Sequence, residues 1–291
     1  MILALLGLMR PRQWTKNLLV FAGLLFTIGQ RHAAGDFLRV LFAFGLFCAA
    51  SGAVYILNDT LDAGSDRCHP VKRKRPIASG LVPIPTALTF AAGLVVVSLG
   101  GGFLMGGRLG LILAGYLVLT TAYSLKLKHL VIVDLLALAA GYVIRAVAGA
   151  VVINVAISEW LLLCTTLLAL FLGLAKRRHE IVILEDGAAS HRRILDEYSV
   201  EFLDQMINIT AATALMAYSL YTFAPFSATA KQHPRMMITI PFVIYGIFRY
   251  LYLIHAKNAG GHPEQVFLDD KPLLVNMVLW AGAVALVLMY G

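Results

Sequence analysis

The sequence predicts an all-α polytopic membrane protein, and three observations carry that prediction. Apolar residues make up 59% of the 291 residues and charged residues only 14%, with a mean hydropathy of +0.80. Soluble domains hold roughly 45–50% apolar and about 25% charged residues. A soluble core of this length cannot absorb so much apolar surface, and disordered chains have the opposite composition. The second observation is a succession of apolar stretches close to the roughly 20 residues that cross a bilayer. The third is the uneven sharing of basic residues between alternate loops.

Taken in order, the apolar stretches predict about nine helices, over 15–29, 37–66, 84–104, 108–125, 131–153, 158–178, 200–223, 235–256 and 272–290. The second is too long for the bilayer alone, so its polar end at Asp59–Asp66 should emerge at an aqueous pocket. With the N-terminus inside, 17 basic residues fall on the inner side and 5 on the outer, while Arg145 and Arg249 lie within spans. That bias places the N-terminus on the cytoplasmic side of the cell membrane and the C-terminus outside. Residues 1–291 read as one integral-membrane domain, and the absence of a basic n-region before Met9 argues against a cleaved signal peptide.

The formal charge of +8 could signal nucleic acid, but no nucleic-acid module is present, and the positive loops of a membrane protein account for it. Cys48, Cys68 and Cys164 lie far apart, without disulfide or zinc spacing. No P-loop, G-x-S-x-G or H-E-x-x-H motif occurs.

The polar groups inside apolar stretches are therefore the informative ones. Asn58, Asp59, Asp62 and Asp66 fall within roughly a 100° arc of one helix face. Three carboxylates crowded there repel one another unless a divalent cation joins them. Mg²⁺ favours one or two carboxylates plus phosphate oxygens and water, so this face reads as a Mg²⁺–diphosphate site. The competing reading is a solvated helix end whose acids pair with Arg67 or Lys72. The basic run Arg67 to Arg75 that follows suits either a positive-inside loop or a polyanionic ligand; His69 is left out of the site.

Asp134 stands alone in the apolar run 130–140, and an intramembrane carboxylate is a functional candidate by default. Tyr123, Ser124, Lys126, Lys128 and His129 lie just before it, and Arg145 three turns after it on the same face. Lys176, Arg177 and Arg178, followed by Glu180, close the sixth helix on the inner side. The helix dipole alone favours cations there, yet they share the acid face's side and so become candidates for phosphate. At the membrane entrance, Arg12, Lys16 and Asn17 flank the interface anchor Trp14 and could hold a lipid phosphate.

The Asn58-Asp59-x-x-Asp62-x-x-x-Asp66 run ending the second of nine helices resembles the UbiA superfamily of intramembrane prenyltransferases, and the likeness covers nearly the whole chain. It implies helices packed around a central cavity, with two acidic motifs and Mg²⁺ holding a diphosphate. The family's second motif is usually D-x-x-x-D, whereas here Leu138 follows Asp134 at that spacing. Arg10-Pro11-Arg12-Gln13-Trp14, Tyr123-Ser124 with Lys126, Lys176-Arg177-Arg178 with Glu180, and Tyr245 to Tyr250 resemble the decaprenyl-phosphate phosphoribosyltransferase branch.

In that branch phosphoribosyl pyrophosphate (PRPP) is the donor and a polyprenyl phosphate the acceptor. The resemblance then implies catalytic and metal roles for Asp59, Asp62 and Asp66, with Asn58 beside the metal and Asp134 at the ribose. Asn58, Tyr123, Lys126, Lys176, Arg177 and Arg178 would bind PRPP, and Arg12, Lys16 and Asn17 the lipid phosphate. The alternatives are an aromatic-acid polyprenyltransferase using a prenyl diphosphate, and a carrier or flippase for an anionic lipid, which would not need Mg²⁺. The chain is compatible with a homo-oligomer.

Overall fold

The computed structural model describes residues 2–28, 34–68, 72–156, 158–185, 197–224, 227–257, 261, 266–267 and 269–290. Arg31, His69, Arg192 and Arg193 lie outside them. The α-helices are α1 (Ile2–Leu8), α2 (Ala22–Phe26), α3 (Ala34–Leu61), α4 (Ala63–Cys68), α5 (Ile84–Met105) and α6 (Gly107–Leu125). They continue with α7 (Val133–Val152), α8 (Glu159–Glu185), α9 (Val200–Phe223), α10 (Ala228–Gln232), α11 (Ile240–Lys257) and α12 (Lys271–Tyr290).

Among the described residues, seven helical segments are long and apolar enough to cross a membrane. Six are α3, α5, α6, α7, α8 and α12; the seventh, Pro234–Lys257, combines a 3₁₀ turn with α11. Helix α9 has the length to cross, at 24 residues, but Asp204, Asn208 and several threonines dilute its apolar character. Val96, Leu104, Leu111, Val118 and Val278 project outward from the bundle, as lipid-facing side chains do. The chain is thus a multi-pass helical membrane protein.

The first expected helix, 15–29, takes a different form. A 3₁₀ segment runs from Pro11 to Phe21, and only Ala22–Phe26 is α-helical. At its steeper rise, 3₁₀ coil of this length covers about 22 Å, and α2 adds about 8 Å, so sixteen residues span about a bilayer core. Three residues per turn also line up Asn17, Val20 and Gly23 on one edge. That edge lies on α7: Asn17 binds Arg145, and a Cβ on Gly149 would run into the Val20 carbonyl. A Cβ on Gly23 would stand 3.1 Å from Ala150.

Helix α7 is the shared wall of the molecule. Its Leu135 packs into the core of Phe171, Leu203, Tyr250 and Leu273 from α8, α9, α11 and α12. Its Ala148 belongs to the core of Val40, Phe47, Leu113 and Tyr116 from α3 and α6. Leu8, Ile56 and Ile77 form a further core where α1, α3 and α5 meet.

Candidate active site

The long second helix breaks where its sequence turns polar. Helix α3 ends at Leu61 and α4 resumes at Ala63, yet the amide of Asp62 still donates to the Asn58 carbonyl at 2.9 Å. The Asp66 amide likewise reaches the Asp62 carbonyl at 2.8 Å, so the helical register crosses the break. Asp59 and Asp66, two turns apart, consequently share a face, and both are buried. One guanidinium nitrogen, Arg75 Nη1, donates to both: 3.1 Å to Asp59 Oδ1 and 2.7 Å to Asp66 Oδ2. Arg10 Nη2 donates to the same Asp59 oxygen at 2.5 Å. Its guanidinium lies over the Tyr55 ring, 5.0 Å from the centroid.

Arg10 and Arg75 thus take the positions that sequence reasoning offered to Arg67 or Lys72. A signal existed: both precede a proline, Pro11 and Pro76, and they are the chain's two Arg-Pro steps. Proline restricts the preceding residue and turns the chain there. Arg10 adopts left-handed backbone geometry, φ 51°, instead of the extended form that proline favours before it.

Asp62 departs from its two neighbours on the acid face. Its side chain is 40% exposed and lies 3.8 Å from Lys128 Nζ. Lys128 belongs to the connection between α6 and α7, which leads directly into the second acidic cluster.

Asp134, in the first turn of α7, is fully buried. Arg177 of α8 approaches it with Nε at 2.9 Å and Nη2 at 2.7 Å from the same Oδ2. The other oxygen accepts from the Tyr198 hydroxyl at 3.1 Å. Tyr198 OH in turn accepts from the Ile132 amide at 2.7 Å. Ile132 has φ 67°, a conformation β-branched residues avoid, and this bond helps hold it. Burial pushes the Tyr198 phenol up, keeping it a donor at neutral pH. Arg177 further reaches Glu180 at 2.6 Å and Tyr123 OH at 3.5 Å. Tyr198 had drawn no attention in the sequence, since it lies outside the apolar stretches.

The remaining expected residues divide. Arg178 is held by Asp204 of α9, with Nε 2.5 Å from its carboxylate. Lys176 lies 3.8 Å from Glu180 and is 42% exposed, and Lys126 is exposed at the end of α6. Arg12 is exposed and Lys16 half-buried, whereas Asn17 turns inward and is buried. Its amide nitrogen donates to Cys48 Sγ and Ser51 Oγ, both at 3.3 Å, and its oxygen accepts from Arg145 Nε at 2.7 Å. Arg145 completes its set with Tyr116 OH at 2.7 Å and the Gly141 carbonyl at 2.8 Å, and makes no pair with Asp134. Asn17 and Arg145 therefore form an internal strut between the 3₁₀ segment, α3, α6 and α7. Arg249, from the Tyr245–Tyr250 run, makes a forked pair with Asp270, at 3.1 and 2.9 Å, tying α11 to the start of α12.

Among the described residues, no three of His, Cys, Asp and Glu gather as a metal site. The acid face still fits a divalent cation, because Asp59 and Asp66 already converge on one positive group, the Arg75 guanidinium. Two carboxylates plus phosphate oxygens and water are the usual protein share of a Mg²⁺ shell.

A buried acidic pair flanked by guanidiniums, at the broken end of a long helix, marks the chain as a multi-pass membrane protein with a charged site inside its helical bundle. The comparisons with known proteins agree and narrow the class. Residues 17–268 match the UbiA prenyltransferase family, and the chain belongs to that family. It is 33% identical to the decaprenyl-phosphate phosphoribosyltransferase of Mycolicibacterium smegmatis, covering 100% of this chain and 94% of that protein. The Mycobacterium tuberculosis enzyme of the same name is 35% identical, over 97% of this chain and 93% of its own. A solved UbiA homolog from Archaeoglobus fulgidus, bound to GPP and Mg²⁺, superposes with a TM-score of 0.73 at 15% identity, covering 98% of this chain and 99% of that one.

Proposed function

We propose that the chain transfers 5-phosphoribose from PRPP to a polyprenyl phosphate of the decaprenyl type, releasing pyrophosphate, at the cytoplasmic face of the cell membrane. The observation that carries this reading is similarity along nearly the whole length to two enzymes of that name. The second cluster supports it as well. A prenyl-diphosphate mechanism built on two acidic motifs asks for carboxylates at both whose partners can give way to a metal, and the arginines on Asp59 and Asp66 are partly exposed whereas Arg177 is sealed. Here Asp134 is filled by Arg177 and Tyr198, and Leu138 stands at the other position. That argues against the aromatic-acid prenyltransferase alternative.

In the proposed reaction an oxygen of the lipid phosphate attacks ribose C1. The C1–O bond to pyrophosphate breaks, and pyrophosphate departs with the electron pair. A phosphomonoester with a second pKa of about 6 is already an anion at neutral pH, so no strong base is required. Asp59 and Asp66, with Asn58 and Asp62 beside them, would hold Mg²⁺, which when bound neutralises charge on the leaving group. Arg177, fixed by Asp134, sets the side of the pocket facing the ribose and positions Tyr123. Lys126 and Lys176, both reaching solvent, suit the 5-phosphate; Arg178 supports them from its pair with Asp204. Arg12 and Lys16 suit the lipid phosphate, with Asn17 bracing the segment that carries them. The product is a precursor for arabinofuranose donors in cell-wall polysaccharide.

The test is purified protein in detergent with Mg²⁺, labelled PRPP and a polyprenyl phosphate. Label is expected in the organic phase and should be lost with EDTA. No label there, with turnover of a prenyl diphosphate and an aromatic acid instead, overturns the proposal while leaving the family intact.

A further inference from the structure

The bridging position of Arg75 has a consequence for how the acid pair is loaded. A single nitrogen sits within hydrogen-bond distance of Asp59 Oδ1 and Asp66 Oδ2. A divalent cation joining these carboxylates would need the same space and the same electrostatic role. Two like charges within a few ångströms of shared acids repel strongly in a partly buried site, so both cannot stay. Of the two arginines, Arg10 is the less able to leave. It is stacked on Tyr55 and set by a left-handed backbone turn. Arg75 sits on the short connection following Lys72–Lys74, and among the described residues its side-chain hydrogen bonds run to these two carboxylates. About a third of its side chain, 30%, remains open to solvent.

We propose that Arg75 is an exchangeable counter-ion. It balances Asp59 and Asp66 when no divalent cation is bound, is displaced when one binds, and then turns its forked donors to the pyrophosphate that accompanies the metal. Guanidinium suits both partners, since its planar fork matches carboxylate and phosphate alike. Metal alone must expel Arg75 into water without a new partner. Metal with pyrophosphate gives the released guanidinium an anion to bind. The two ligands therefore favour each other, and the coupling is reciprocal. The inference rests on the diphosphate-donor reading only in requiring that pyrophosphate enters this site.

The experiment compares wild type with Arg75→Gln, using two measurements that need no turnover. Mn²⁺ binding without any phosphate is followed by the loss of the free-ion EPR signal. Labelled inorganic pyrophosphate binding at saturating Mg²⁺ is followed by equilibrium dialysis. Arg75→Gln should bind Mn²⁺ alone about 10-fold more tightly than wild type, which is a 1.4 kcal/mol change. It should bind pyrophosphate about 10-fold more weakly. Asp66→Asn should abolish the Mn²⁺ gain. Arg75→Lys, which keeps the charge and loses the fork, should show the same two shifts at smaller size, and it serves should the glutamine variant not fold. Mn²⁺ affinity in Arg75→Gln equal to or weaker than wild type overturns the exchange. Unchanged pyrophosphate affinity overturns the second half of it. If both shifts appear but labelled PRPP never reaches the lipid, the exchange stands and the phosphoribosyl reading falls.

Discussion

Asp59 and Asp134 are both buried aspartates paired with arginine, yet their arginines live in different surroundings. Arg10 and Arg75 leave 32% and 30% of their side chains open, whereas Arg177 leaves 3%. The first cluster sits where the helical run from α3 into α4 breaks, beside partly exposed arginines; the second sits at the foot of α7, closed over by α8 and by Tyr198. Water can take over from a departing partner in the first cluster and cannot in the second. An ion pair that is to be exchanged for substrate must lie at an edge, and one that fixes the walls must be sealed. The two are linked through the α6–α7 connection, where Lys128 meets Asp62 and Ile132 meets Tyr198.

The largest expected effect breaks the sealed pair. Arg177→Ala would leave a buried carboxylate without its cation, a loss of about 3–5 kcal/mol. Unfolding in mixed micelles measures it. A loss under about 1 kcal/mol would mean that water reaches Asp134 and that the two clusters do not differ as described. Arg177→Ala with Asp134→Leu in one chain should recover part of the loss, since removing both members of a buried pair is far cheaper than removing one.

Tyr198→Phe is the intermediate case. It deletes the donor to Asp134 and the acceptor of the Ile132 amide, so two buried polar groups lose a partner at once. The expected cost is about 1–3 kcal/mol. It should also release the left-handed turn at Ile132, seen as faster amide exchange at the start of α7 than in wild type. Unchanged exchange there would show that the turn is held by packing alone.

How much of this was legible beforehand follows from the range of each interaction. The apolar helices read directly, and their limits agree with the sequence within a few residues for 84–104, 108–125, 131–153 and 272–290. The 3₁₀ form of Pro11–Phe21 did not, because over a short mixed stretch periods of 3 and 3.6 differ little. Asp134 stood out as a lone carboxylate in an apolar run. Its partners, 43 and 64 residues away, were hidden or unranked. Asn17 resembled a headgroup ligand beside Arg12 and Lys16, but the 3₁₀ turn rotates it onto Arg145, 128 residues on. Local chemistry was readable, and choice of partner belonged to the fold.

Asp62→Asn carries the smallest stability effect and the sharpest reading of the acid face. Asp62 is partly exposed and its contact with Lys128 is long, so an ion pair of this kind contributes under about 0.5 kcal/mol. Stability should therefore stay within that margin. Turnover should not: if Asp62 swings from Lys128 to join Asp59 and Asp66 when the donor binds, its loss removes charge stabilisation from the leaving group. Losses of about 10²–10³ in rate follow from deleting one such electrostatic contact. Wild-type turnover in a stable Asp62→Asn protein would confine the metal to the Asp59–Asp66 pair that Arg75 already bridges. The exposed acid would then serve only to dock the α6–α7 connection, and the edge cluster would function as a two-carboxylate site.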